Sequence, residues 1–185
     1  MSTDNSAAPT GSELDNLIMD NPFWQCSLTL WQNKGLQSHL LRLQNTQHYR
    51  VNLLLLAIWL GLEGKDLRAH LHKLSEQVNT WHESIVAPIR QVRQALPKSL
   101  PDPVASLKAQ LQACELQAEQ VEQALLYQYT QDLPCLQDPT FDDLDCLIIN
   151  LSASELSESD LLLILQHCLP NYSVQQIKQR IQSHR

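Results

Sequence analysis

Arg90 and Arg93 stand one helical turn apart, just beyond Pro88, with Trp81 and His82 two to three turns upstream. A proline inside a helix removes a backbone hydrogen bond, kinks the helix and opens space beside it. Two guanidinium groups at such a place could grip a phosphate or carboxylate bidentately. Arg90, Arg93, Trp81 and His82 are therefore the candidate ligand-binding residues. The same arginines could instead pair across a helix hairpin with Glu115, Glu119 and Glu122, which share one helical face at i, i+4 and i+7.

Other chemistry is harder to assemble. Of the seven histidines, His70 and His72 are two apart, on different helix faces, and cannot share a metal. His82-Glu83 begins like a helical zinc-protease motif, but Val86 stands where its second histidine belongs. No Glu-x-x-His pair suits a carboxylate-bridged di-iron bundle. The histidines read as scattered surface residues. Asp142, Asp143 and Asp145 resemble an aspartate-rich magnesium motif, but Cys146 stands where it wants a carboxylate and the second aspartate cluster is missing. Anionic residues at a helix start explain them. There is no Gly-rich phosphate loop and no nucleophile elbow. No metal site, cofactor or catalytic residue is identified, and the reading leans away from an enzyme.

The elements that must position these residues are helices. Few glycines and much Leu and Gln favour helix over strand. Asn21-Pro22 opens a helix carrying Phe23, Trp24, Ser27, Leu28 and Trp31, with Gly35 as a stop. A second helix covers about 36–44. A third, about 51–62, is apolar nearly all round and belongs in the middle of a bundle, closed by Gly61 and Gly64. From Asp66 to Leu96 apolar residues recur every three or four positions, one face of a long helix kinked at Pro88. A rigid Pro97–Pro103 linker follows. A second long helix, about 104–129, carries an a/d seam of Val104, Leu107, Leu111, Cys114, Ala118, Val121 and Leu125. The two long helices should form an antiparallel hairpin. Beyond a Pro-containing loop at 131–140 come short helices at about 141–151, 158–168 and 173–183, with Ser157 and Ser173 as N-caps.

The fold class is thus all-α: a bundle at 14–130 with a long antiparallel helix hairpin, a small acidic helical C-terminal appendage at 131–185, and a disordered stretch at 1–13. The core should include Trp24, Leu28, Leu54, Trp59, Leu74, Val78, Trp81, Ile85, Leu111 and Val121. Asn52, inside the most apolar helix, must find partners for its amide.

Net charge is −7, which argues against a generic nucleic-acid binder. Residues 21–96 hold eight Lys/Arg against four Asp/Glu, whereas 131–170 hold eight acidic residues and no Lys or Arg. Either these are two solvated surfaces, or the acidic segment packs on the basic half. The five cysteines have no C-x-x-C spacing, and most read as small buried hydrophobes. Met1 to Asp20 does not read as a signal peptide, and Val51 to Leu62 is too short to span a bilayer. A cytoplasmic location is expected.

The motifs Phe23-Trp24-x-x-Ser27-Leu28, Leu41-x-Leu43-Gln44 and Val51-Asn52-Leu53-Leu54-Leu55 with Trp59 occur together with Trp81, Val86-Ala87-Pro88-Ile89-Arg90 and Arg93. Glu115-Leu116-Gln117-Ala118-Glu119-x-x-Glu122-Gln123 completes the set. In this combination the chain resembles an uncharacterised proteobacterial family of conserved hypothetical proteins, a domain of unknown function, over about residues 22–130. The resemblance implies a bacterial, soluble helical protein and no particular activity. The family tends to have Tyr at the position of Trp31 and a basic residue at that of His82, which weakens a case for specific chemistry there.

Three functions rank in order. The first is a non-enzymatic interaction protein, an adaptor or regulator, presenting a helical groove or seam to a protein partner. The second is a small anionic-ligand binder or enzyme built around Arg90, Arg93, Trp81 and His82. The third is a nucleic-acid or ribosome-associated factor using the basic half, which the overall acidity disfavours. Periodicity leaves the oligomeric state open.

Overall fold

A computed structural model of the chain describes residues 14–97 and 102–184, side chains of 102–104 excepted. The expected disordered stretch at 1–13 and most of the expected linker lie outside them. The fold is all-α. No helix among the described residues is long and apolar enough to cross a membrane. The chain divides into two compact units, Pro22–His72 with Thr130–Arg185, and Met1–Asn21 with Lys73–Tyr129.

The first unit contains α1 (Pro22–Gln32), α2 (Lys34–Gln47) and α3 (Val51–Leu62), then α7 (Asp143–Ser152), α8 (Glu158–Cys168) and α9 (Val174–Ser183). Its centre is α3, on which nearly every residue from Val51 to Gly61 is buried. The helix that covers it most closely is α7. Gly61 makes that approach possible: a Cβ there would stand 2.9 Å from Leu147 Cδ2 and 3.2 Å from the Cys146 carbonyl oxygen. Gly61 thus serves packing, and the helix is closed by Gly64 alone, whose φ of +65° is cheap only for glycine. Phe23 stacks on Trp59 with ring centroids 5.3 Å apart.

The sequence draws its boundary at 130 and sets an appendage beyond it. The packing instead joins Thr130–Arg185 to Pro22–His72. An all-apolar helix such as α3 has no single marked face, so its sequence does not say which distant helix covers it. The loop before α7 is tied down as well. Asp66 donates its N–H to the Pro134 carbonyl at 2.8 Å, and Leu136 donates to Gly64 at 2.8 Å. The Asn150 side chain, fully buried, donates to the Lys65 carbonyl at 2.8 Å and accepts the Leu67 N–H at 3.0 Å. That satisfies the backbone of a turn that the sequence assigns to a helix, and it delays the next helix to Leu71.

Other local corrections have local causes. Gly35 is not a helix stop. Asn33 caps α2, its side chain accepting the N–H groups of Gly35 and Leu36. Gly35 lies in the first turn, where a Cβ would overlap the His167 ring. Ser157 and Ser173 do cap α8 and α9. On α1 the buried face is Phe23 and Ser27, so Leu28 is left 40% exposed and Trp24 half-buried. Leu54, Trp59, Leu74 and Val78 are buried. Trp81, Leu111 and Val121 are half-buried and Ile85 is exposed, because the hairpin turns a different face inward.

That hairpin makes up most of the second unit. It comprises most of α4 (Leu71–Trp81), a π-helical turn (His82–Val86), α5 (Ala87–Ala95) and α6 (Asp102–Tyr129). Pro88 does not break the helix. The widened turn carries the Ala87 N–H back to the His82 carbonyl, five residues earlier. One extra residue per turn absorbs the proline's missing donor and bulk.

Candidate functional site on the hairpin

The π turn and α5 aim their polar side chains at α6. Trp81 Nε1 donates to the Ala118 carbonyl at 2.9 Å. His82 Nδ1 lies 3.1 Å from Glu122 Oε1. Arg90 donates from Nε to Glu115 at 2.8 Å and from Nη2 to Glu119 at 2.5 Å. Arg93 donates from Nε to the other Glu115 oxygen, and from Nη2 to Glu115 Oε1 at 3.2 Å. All four sequence-predicted residues, Trp81, His82, Arg90 and Arg93, therefore meet along one face of α6. That face is Glu115, Ala118, Glu122 and Leu125, at i, i+3, i+7 and i+10, and all four are buried.

The a/d seam read from the sequence shares only Ala118 and Leu125 with this face. Its Leu107 is 41% exposed and Cys114 is exposed. Apolar periodicity pointed to a purely greasy seam, but alongside its buried Val78, Val86 and Leu125 the hairpin closes on ion pairs and a tryptophan. Burial here favours pairing, because charges taken from water must be repaid by good geometry. Burial alone would raise the Glu115 carboxyl. The hydrogen bonds from Arg93 and Arg90 outweigh it and hold the group below the ordinary glutamate value. Glu119 moves the other way, raised by burial and by the charges of Glu115 and Glu122 against the pull of Arg90. The Arg93 guanidinium is raised by its hydrogen bonds to Glu115. Chemically the arrangement is a charge-paired clamp between two helices.

Two of the seven histidines correct the surface reading: His82 and His39 are buried. Their spacing gave no sign of it. The Asp142–Asp145 cluster is a capping box at the start of α7, each side chain accepting the other's backbone N–H. Arg180 donates to Asp145 at 2.5 Å, His184 Nε2 lies 2.7 Å from it, and Tyr172 donates its hydroxyl to Asp142 at 3.1 Å. Among the described residues no three His, Cys, Asp or Glu side chains are placed to hold a metal ion. A shallow cleft of about 300 Å³, lined by Leu144, Tyr172, Gln176, Gln179, Arg180 and Ser183, lies beside this cluster. The cysteines are not uniformly buried: Cys146 is, Cys26 and Cys168 are half-buried, and Cys114 and Cys135 are exposed. Burial, then the nearby Cys26, pushes the Cys168 thiol up to about 12, far from a working nucleophile.

The chain belongs to the family described as "Protein of unknown function (DUF2390)", which matches residues 22–126. The match runs from the start of α1 through nearly all of α6, and so includes the clamp. No curated protein and no solved structure matches the chain.

Proposed function

We propose that the chain is a non-enzymatic, cytoplasmic interaction protein, an adaptor or regulator, whose hairpin receives an amphipathic helix of another protein. One observation carries the reading: besides its buried core and its inward-facing polar pairs, the hairpin leaves a stripe of apolar side chains in solvent. Ile85 and Val92, one stripe of the π turn and α5, are 37% and 54% exposed, with Ile89 half-buried between them. On α6, Leu107 and Leu116 are also exposed. Apolar anchors at helical spacing are what a partner helix engages. An anionic ligand would have to compete for guanidinium donors already bonded to Glu115 and Glu119.

The test is native mass spectrometry of the tagged full-length protein, purified gently from its own host. A stoichiometric second protein, retained by the wild type and lost from Val92→Lys, is the expected result. A retained mass of a few hundred daltons, lost from Arg93→Ala, would replace this reading with the anionic-ligand one. A bare protein, or a partner retained equally by Val92→Lys, would overturn it.

A further inference from the structure

A second polar cluster, in the other unit, joins α2 to α8, with Arg42 exposed at its rim. Arg42 donates from Nη2 to Asp160 Oδ1. The same Nη2 stands 3.5 Å from His39 Nδ1. A guanidinium can only donate, so that ring nitrogen is the acceptor and the ring proton sits on Nε2. Nε2 lies 3.4 Å from the Asp160 oxygen that Arg42 already uses, and it has no hydrogen-bond partner among the described residues. The second Asp160 oxygen accepts the Ser157 hydroxyl at 2.6 Å. His39 and Asp160 are both buried. One carboxylate thus satisfies a guanidinium, a hydroxyl and, loosely, a neutral imidazole.

We propose that His39, Arg42 and Asp160 form a pH-sensitive clasp between α2 and α8, closed while His39 is neutral and loosened when it is protonated. A protonated ring would carry its new proton on Nδ1, aimed at the Arg42 guanidinium. The surroundings offer no relief. The other helices packed on α2 are α1 and α3, and neither contains an acidic or basic residue, Cys26 of α1 being their only titratable group. From α8 come Asp160 and His167, and His167 adds a like charge when protonated. Tyr49, just after α2, donates its hydroxyl to the Glu155 carbonyl at 2.9 Å.

Burial, and then the Arg42 charge, hold the His39 imidazole below the ordinary histidine value, against the pull of Asp160. The sign follows. The unfolded chain takes up its proton first, as pH falls past about 6.5. The clasp is at full strength above that pH and weakens as pH falls through the lower folded value. Asp160 is also held low, by Ser157 and Arg42 against its burial, so it stays charged across that window. What the clasp guards is the packing of the buried Leu36, Leu40 and Leu43 of α2 and Leu161, Ile164 and Leu165 of α8.

The experiment is a histidine NMR titration of the full chain, with amide exchange of Leu161, Ile164 and Leu165 corrected for intrinsic pH dependence. The expected result is a His39 midpoint below the ordinary histidine value of about 6.5. Exchange in α8 should rise several-fold as His39 protonates, and stay level over the same range in His39→Gln. A His39 midpoint at or above the ordinary histidine value would overturn the proposal. So would a low midpoint with α8 exchange unchanged, or exchange that rises equally in His39→Gln. The titration uses only wild-type protein, so it stands even where His39→Gln does not fold.

Discussion

Gly61 lies so close beneath Leu147 that a single added carbon on the glycine would meet the leucine side chain at 2.9 Å. The nearest alternatives are no softer, since the Cys146 carbonyl and the Leu147 Cα follow at 3.2 Å. Alanine normally favours a helix over glycine by about 1 kcal/mol. Here overpacking, at about 1–3 kcal/mol, opposes that gain. Gly61→Ala should therefore lower the melting temperature, whereas Gly→Ala within an exposed helix raises it. A thermal melt decides; a stabilised Gly61→Ala would mean that α3 and α7 pack less closely than described.

The contact between α3 and α7 leads to a second expectation. Ending the chain at Tyr129 removes α7, α8 and α9 and strips the cover from a helix that is apolar all round. Such a patch exceeds what soluble monomers expose. The truncated chain should aggregate or bind a hydrophobic dye strongly. A soluble, cooperatively melting 1–129 fragment would show that the first three helices need no cover.

The hairpin clamp predicts strong energetic coupling. Glu115 accepts from both Arg90 and Arg93 and is buried. Glu115→Ala leaves two guanidinium groups short of acceptors and should cost about 3 kcal/mol. Arg93→Ala should cost less, because Glu115 keeps Arg90. The double-mutant cycle between Glu115 and Arg93, read by urea denaturation, should return at least about 1 kcal/mol of coupling. Additive effects would place the pair at the solvated surface instead.

Strong acid should act through Asp145. Burial alone would raise its carboxyl, but hydrogen bonds from His184 and Arg180 bring it down to about 2. A folded pKa below the unfolded one gives stability that is present above about pH 4 and lost as pH falls toward 2. The wild type should lose stability steeply across that interval, and Asp145→Asn, less stable at neutral pH, should show a shallower decline. Parallel pH profiles for the two would remove Asp145 from the account.

The helices themselves were legible because each leaves a local mark. Pro22 opens α1, Ser157 and Ser173 cap α8 and α9, and apolar spacing runs through α4 and α5. The clamp residues were half legible. Arg90, Arg93, Trp81 and His82 stood out by type and spacing, and Glu115 and Glu119 as rivals for the arginines. What spacing could not supply was the rotation of α6, whose apolar seam shares only Ala118 and Leu125 with the true contact face. Asn150 escaped notice because its role depends on Lys65 and Leu67, more than eighty residues away, and no local pattern records such a partner. The π turn was hidden too: Pro88 announces a disturbance, but not whether the chain breaks, bends or widens.

The first unit is assembled from two stretches of chain with the hairpin spliced between them. During synthesis this sets an order of events. α3 leaves the ribosome roughly eighty residues before α7 begins, which at about 5–20 residues per second is several seconds. For that interval the most water-averse helix of the protein has no lid. The nascent chain is then at its most vulnerable to aggregation and most in need of a chaperone, and slowing translation between residues 62 and 143 would lengthen the exposure.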